Sequence, residues 1–315
     1  MYDITALGEL LIDFTDCGVT EAGMKIFEQN PGGAPANVLA AAQNLGLKTA
    51  FIGKVGKDMH GDFLRKTLED IGIETSGLIS GPEVFTTLAF VSLENGERNF
   101  SFARKPGADT CLREDELKME LLENTKIFHF GSLSLTDEPA RGATIKAVET
   151  AKKSGAVISY DPNYRKLLWK TREEAIEQMR SVVKYADIMK ISDEETELLT
   201  GYSDPSEAAA ELIKQGVKCA VVTLGAEGAL MRGQDFEIKA KGKPRKVVDT
   251  TGAGDSFWGA VLYNLIKSGK KPDELTQADG EEFLAFANTV AGLCVEKRGA
   301  IPAMPLLDDV LEDRK

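Results

Sequence analysis

Strand-like and helix-like segments alternate along most of this 315-residue chain, and that alternation admits few architectures. Short runs rich in β-branched and aromatic residues read as strands at 4–12, 49–55, 126–130, 156–160, 186–191, 219–223 and 246–248. Segments with apolar residues at helical spacing lie between them, at 36–45, 63–71, 140–153, 173–184, 206–215 and 280–296. The pattern predicts an α/β fold, a mostly parallel sheet flanked by helices on both faces. Ligands of such folds sit beyond the C-terminal ends of the strands.

Two stretches break the rhythm. Residues 14–30 carry no clear helix, and 84–104 reads as two strands, 85–93 and 98–103, around the turn Glu94-Asn-Gly-Glu97. Asn-Gly between strands is a hairpin signal. Together the two stretches could form a small β-sheet lid that excludes water from a site; an ordinary edge hairpin fits the same residues. The length allows two domains, but with no repeat and no low-complexity linker we read 1–315 as one domain carrying those two insertions.

Hydrophobic residues make up 43% and charged residues 28%, an ordinary globular balance. The net charge of −12, from 38 basic and 50 acidic residues, argues against a nucleic-acid partner. It does not bar an anionic substrate, because cations can be placed locally. Cys17, Cys111, Cys219 and Cys294 are widely spaced, with no metal-binding or disulfide framework; Cys219 and Cys294 sit in apolar runs and read as core. There is no signal-type N-terminus and no apolar run near the ~20 residues that span a bilayer. The expectation is a reduced, cytoplasmic protein with no membrane partner.

The richest local signal is Asp249-Thr250-Thr251-Gly252-Ala253-Gly254-Asp255. It follows Val247-Val248 and opens a segment whose Phe257, Val261 and Leu265 share one helix face. This predicts a strand, a glycine turn and a helix N-terminus. Backbone N–H groups there can hold an anion, helped by the helix dipole. A carboxylate beside such a hole suits general-base help to an attacking hydroxyl. A plain tight turn with a first-turn Asp is the alternative. A second cluster, Asn30-Pro-Gly-Gly-Ala-Pro-Ala-Asn37, lets the backbone approach a ligand at Gly32 and Gly33, with Asn37 able to donate and accept one turn into a helix. It too could be a turn with a solvated Asn. There is no Walker-type phosphate loop and no His-Arg-Asp loop; His60 and His129 receive no role.

The two clusters, in this order and separation, resemble the two signatures of the PfkB (ribokinase-like) carbohydrate kinases, and the resemblance covers essentially the whole chain. Gly8-Glu-Leu-Leu-Ile-Asp13, Gly-Gly-Ala-Pro-Ala-Asn37 and Asp161-Pro-Asn-Tyr-Arg165 are most similar to fructokinases. The resemblance implies a ribokinase-like fold with a small β-sheet lid, and ATP-dependent transfer to a sugar hydroxyl with Mg2+ and often K+. It implies Asp255 as base, with Gly252, Ala253 and Gly254 as anion hole. Asp13, Gly32, Gly33, Asn37 and Arg165 would meet the sugar, with Phe100, Phe102 and Arg104 from the lid. Lys190, Ser192, Glu195, Thr223, Gly225, Gly228 and Asn288 would surround the nucleotide. Glu195 would act on magnesium indirectly; Ser192 stands where the family has Asn. Asp249, Thr251 and Ala300 would hold a monovalent cation. A helix N-terminus favours ionised Asp255, which would make it a weak base. Ribose, 2-keto-3-deoxygluconate or a nucleoside are alternative acceptors, and a non-catalytic sugar sensor is the rival of another class. A partner copy covering the lid would give a homodimer.

Overall fold

The computed structural model describes residues 1–94 and 97–315, and side chains outside 92–100. The strands and helices follow in the order β1 (Tyr2–Leu7), β2 (Leu11–Val19), β3 (Lys25–Gly32), α1 (Ala34–Asn44), β4 (Thr49–Gly56), α2 (Met59–Asp70), β5 (Glu74–Gly81), β6 (Leu88–Glu94) and β7 (Glu97–Ala103). Then come α3 (Met119–Glu123), β8 (Thr125–Phe130), α4 (Ala140–Lys153), β9 (Val157–Tyr160), α5 (Arg172–Ser181), β10 (Ile188–Ser192), α6 (Thr196–Thr200) and α7 (Pro205–Lys214). The chain ends with β11 (Cys219–Thr223), β12 (Ala229–Arg232), β13 (Glu237–Ala240), α8 (Ala253–Ser268), α9 (Gln277–Cys294) and α10 (Leu307–Asp313).

Nine strands form one sheet in the order β13-β12-β11-β10-β9-β8-β1-β4-β5. Neighbours are parallel from β5 through β11; β12 and β13 add an antiparallel edge. Strands covered on both faces must alternate between two cores, and these do. Ile4, Ala6, Ile127, Cys219 and Val221 face a core closed by α1, α2, α8, α9 and α10. Leu7, Phe128, Phe130, Ala220 and Val222 face the other, closed by α3 through α7. Cys219 and Cys294 are buried, as their apolar surroundings implied.

The two stretches that broke the sequence rhythm pair with each other. They form a second sheet, β3-β2-β6-β7, with β2 parallel to β6 and the other neighbours antiparallel. Turn residues 95 and 96 lie outside the described residues.

Several boundaries differ from expectation. The strand expected at 4–12 is two strands in two sheets, β1 and β2. The chain turns at Gly8, where a Cβ would lie 2.5 Å from Pro35 Cγ. Periodicity cannot report that break, because apolar residues continue through it. The strand expected at 246–248 is absent: Val247 and Val248 are 61% and 52% exposed. The N–H groups of Val248 and Asp249 both donate to Val295 O, a loop contact and not a strand ladder. A three-residue β-branched run prefers extended backbone but needs an open sheet edge to become a strand. Strands β5, β12 and β13 were not anticipated.

The contact that positions the site is between α1 and α8. Gly259 lies four residues after Asp255, on the same helix face. A Cβ on Gly259 would lie 2.8 Å from both Ala41 Cβ and Val38 O, so the missing side chain lets the two helices meet closely. One turn earlier on each helix, the same approach brings Asn37 to Asp255. We predict that Gly259→Leu, a good helix former too large for the gap, lowers stability by about 1–3 kcal/mol or more. The urea midpoint checks this; an unchanged midpoint would mean the helices part without cost.

Candidate active site

Helix α8 starts at Ala253 with Gly252 as N-cap in the left-handed region (φ 75°). A side chain there would be strained and would crowd Ala300, whose Cβ lies 2.8 Å from the Cβ position. Ser256 N–H makes the first helical bond, to Gly252 O at 2.8 Å. The N–H groups of Gly254 and Asp255 precede it and so have no intrahelical acceptor. A Cβ on Gly254 would lie 3.5 Å from Lys190 Nζ. An open first turn thus lies beside a buried ammonium, a cradle that fits phosphate oxygens.

Asp255 is only 8% exposed. Its Oδ2 accepts from Asn37 Nδ2 at 2.8 Å and its Oδ1 from Asn163 Nδ2 at 3.2 Å. Burial pushes its pKa above the usual carboxylate range, although the Asn37 bond opposes this. Asp161 adds to the rise, while Lys190 and Arg165 oppose it. The direction is opposite to the low pKa expected of a carboxyl at a helix N-terminus. A helix N-terminus favours the anion, while loss of solvation, the largest cause of the shift, favours the neutral acid.

Asn163 and Asp161 were quoted in a motif without receiving roles. Asn163 has φ 48°, a left-handed conformation that Asn tolerates better than most residues. Its own N–H donates to Asp161 Oδ1 at 3.2 Å, which fixes the turn after β9. Asp161 Oδ2 accepts from Lys190 Nζ at 2.6 Å. Burial alone would lower the Lys190 pKa, but Asp161, Glu195 and Asp255 leave it raised, so the ammonium stays charged. The left-handed requirement in Asp-Pro-Asn was the available signal for Asn163.

On the small-sheet side, burial lifts the Asp13 carboxyl to about 6; Arg165 opposes, while Asp255 and Asp249 add to the rise. Gly32 leaves room for that carboxyl, since a Cβ there would overlap Asp13 Oδ2. Gly33 has φ 122°, and a Cβ would overlap Glu9 O. Asn37 Oδ1 is buried with no protein partner, an acceptor that fits a hydroxyl. Arg165 is exposed and donates to Tyr164 O at 3.1 Å, within electrostatic reach of Asp13 and Asp255. Phe102 is half-buried on β7, paired in register with Ala89; the Phe100 side chain lies outside the described residues. Arg104 departs from the role expected of it. Its buried guanidinium donates to Asp109 Oδ2 at 2.8 Å, Thr136 Oγ1 at 3.0 Å and Leu133 O at 2.8 Å, which ties it to the root of the small sheet.

The expected nucleotide residues fall into two groups. At the end of β10, Ser192 and Glu195 cap each other's turn: Glu195 Oε2 accepts from Ser192 N and Oγ, and Oε1 accepts from Tyr164 N at 2.6 Å. Oε2 thus accepts twice and Oε1 once, which holds the carboxylate at the end of β10. Among the described residues no three His, Cys, Asp or Glu side chains form a metal cage. Further along the sheet edge, Thr223 ends β11 and Gly225 opens the following turn at φ 55°. Gly228 (φ 91°) lies against Ala240 O, which also accepts from Asn288 Nδ2 at 3.1 Å. Beside the first turn of α8, Asp249 Oδ1 accepts from Thr251 N and Oγ1, and Oδ2 from Gly299 N at 3.0 Å. This clamps 249–251 to the loop that carries Ala300.

Glu9, outside the expected site, is fully buried and its carboxyl is lifted to about 7 from 4.5. Burial causes this; its own N–H, the Ala34 N–H and Arg104 oppose, and Asp109 assists. A raised folded pKa means that the folded chain binds more protons than the unfolded one between 4.5 and about 7. The stability so contributed is complete below that window and lost as pH rises through it. Glu9→Gln, which mimics the protonated form, should therefore be more stable than wild type at pH ~8, by on the order of 3 kcal/mol, and no more stable at pH ~4. Urea midpoints at the two pH values check this, and an identical difference at both would refute it.

No helix among the described residues is long and apolar enough to cross a membrane. The family model for pfkB family carbohydrate kinases matches residues 1–307. Probable fructokinase-5 of Arabidopsis thaliana is 44% identical over 96% of this chain and 94% of its own length. Fructokinase-1 of Zea mays is 42% identical over 98% and 96%. Among solved structures, fructokinase from Xylella fastidiosa with bound ATP superposes with a TM-score of 0.91 at 32% identity, covering 98% of this chain and 97% of that one. Fructokinase from Vibrio cholerae O395 in a fructose, ADP and calcium ion bound form gives 0.88 at 30%, covering 99% and 98%. With the buried carboxylate at a helix start, a second sheet beside it and similarity over almost its whole length, the chain belongs to the pfkB family of carbohydrate kinases.

Proposed function

We propose that the protein transfers the γ-phosphoryl group of ATP to the 6-hydroxyl of fructose. The observation that carries this reading is Asp255, a buried carboxylate with a raised pKa at the open first turn of α8. The near-full-length similarity to fructokinases supports the choice of sugar.

Fructose lies between the small sheet and α8, with hydroxyls on Asp13, Asn37 and the Gly32–Gly33 backbone. Phe100 and Phe102 belong to the strand that flanks this side of the site. Asp255 takes the proton of the 6-hydroxyl, whose oxygen forms a bond to the γ-phosphorus as the bond to the β–γ bridging oxygen breaks. ADP leaves, and Asp255 later returns its proton to water. The Gly252-Ala253-Gly254 turn and the α8 dipole stabilise charge on the transferring group. Lys190, Ser192, Thr223, Gly225, Gly228 and Asn288 line the nucleotide side. Magnesium bound with the ATP phosphates would supply charge neutralisation, and Glu195 would help hold it. A raised pKa on the base suits this chemistry, since a stronger base accepts the proton earlier. The clamp at Asp249, Thr251 and Ala300 beside the anion hole suits a monovalent cation such as K+.

The deciding experiment is ATP consumption against a sugar panel with magnesium, with and without potassium, for wild type and Asp255→Asn. We expect turnover on fructose, a loss of ~10²–10⁴ in kcat for the variant, and a gain with potassium. The base must be ionised, so kcat/KM should fall as pH drops through a pKa above the ordinary carboxylate range. Turnover on ribose, 2-keto-3-deoxygluconate or a nucleoside would replace the sugar. Folded protein that binds sugar without Asp255-dependent turnover would replace the kinase with a sensor.

We also propose that two copies pair through the small sheet. Val19, Met24, Ile26 and Phe90 expose apolar surface there, and an uncovered sheet is a template for association. Sedimentation should give a dimer that Ile26→Lys dissociates; a wild-type monomer at micromolar concentration would end this reading.

A further inference from the structure

The chain crosses between the two sheets four times, and the crossings converge on one buried carboxyl. It leaves the main sheet after β1 at 8–10, returns between β3 and α1 at Gly33, leaves again before β6 at Thr87, and returns after β7 at Arg104. Glu9 lies in the first crossing and is 3% exposed. Its Oε1 accepts from Ala34 N at 2.8 Å, just past the second crossing. Its carbonyl lies against the Cα of Gly33 closely enough to exclude a Cβ. Arg104 and Asp109 are the charged groups that act on it. Asp109 in turn binds Arg104 and the hydroxyl of Thr87, which joins the third and fourth crossings to the same place.

Ala34 is the first residue of α1, and Asn37 lies three residues on, over the same face. Asn37 N–H donates to Gly33 O at 2.9 Å, so the turn that Glu9 holds is the turn that carries Asn37. Pro35 in that turn has no N–H, and of the turn's free donors Glu9 takes that of Ala34. Oε2 is buried without a hydrogen-bond partner among the described residues, so Ala34 N–H is the carboxyl's hydrogen-bonded contact to α1.

We propose that Glu9 is a positioning residue for phosphoryl transfer: its carboxyl, set where the two sheets join, fixes the first turn of α1 and so holds Asn37 on Asp255. The proposal rests on the kinase reading above. Glu9 touches neither sugar nor nucleotide. It acts through Ala34, then Asn37, then the carboxylate that accepts the proton. Oε1 is the working atom, and an amide oxygen in the same place does the same work.

The test uses the full chain with Glu9→Gln, Glu9→Ala and Glu9→Asp, the last because its shorter arm draws the acceptor back from Ala34 even if the alanine variant does not fold. At a temperature well below unfolding, Glu9→Ala and Glu9→Asp should lose about tenfold to a hundredfold in kcat for fructose, since small misplacements remote from the chemistry cost this much. Glu9→Gln should stay within about threefold, a rescue that rests on the conserved acceptor. Hydrogen exchange, which needs no turnover, should accelerate at the amides of Asn37 and Val38 in Glu9→Asp while those of α4 keep wild-type rates. The proposal is overturned if Glu9→Asp folds and keeps wild-type kcat, if Glu9→Gln falls as far as Glu9→Asp, or if the α1 amides exchange at wild-type rates. A wild-type protein inactive on fructose would end the functional reading instead, and the exchange result would still decide whether Glu9 holds α1.

Discussion

A carboxylate kept out of water is the constraint around which this molecule is arranged. Asp255 loses most of its solvation at the start of α8, and such a group persists only where donors replace the lost water. Two side-chain amides do so from opposite sides, Asn37 on α1 and Asn163 after β9. A buried ammonium, Lys190, compensates the charge while held by Asp161. These partners come from widely separated parts of the chain. What gathers them is the parallel sheet, which delivers the ends of β9 and β10 to one edge, and the contact of α1 with α8, which a side chain at Gly259 would forbid.

A deeper layer supports that arrangement. His129 Nδ1 lies 2.9 Å from Ser159 Oγ, which accepts from Trp258 Nε1 at 3.0 Å. Three buried polar groups thus join β8, β9 and the second turn of α8 beneath Asp255. Burial, with the Lys190 charge as the next cause, pushes the His129 pKa down to about 3, so the imidazole is neutral. It serves as fixed polar scaffolding rather than as an acid or base. The small sheet attaches through a comparable polar knot. Asp58 caps α2 at the N–H groups of His60 and Gly61, and it also accepts from Thr86 at the root of β6. The His60 ring meets Phe14 edge-on and lies 3.3 Å from Gln29 Nε2. The two sheets are therefore joined by directional bonds at their roots, with aromatic contact further out.

Much of this was legible in the residues. Helices α4, α7 and α9, and strands β4, β8 and β11, follow from periodicity because each buries a clean stripe or a whole strand. The glycine turn and Asp255 were legible because a left-handed residue before a helix leaves a short local signature at Gly252. The stretch at 246–248 misled for the converse reason: a β-branched run states a backbone preference, while pairing depends on whether a distant strand has a free edge. Asn163 stood unread inside a quoted motif because its partner lies 92 residues away.

The sequence by itself determined the local chemistry: where glycine must turn, where a carboxylate starts a helix, and which faces are apolar. These are properties of a few adjacent residues, and the chain states them directly. Only the tertiary structure decided that the Asp255 carboxyl has a raised pKa, because solvation depends on everything packed around it. Only it placed Arg104 at the root of the small sheet, because a guanidinium goes where the most acceptors converge. The break at Gly8, which sends one apolar run into two sheets, belongs with these, since the room for it, which a Cβ would fill, is bounded by Pro35 from a distant part of the chain.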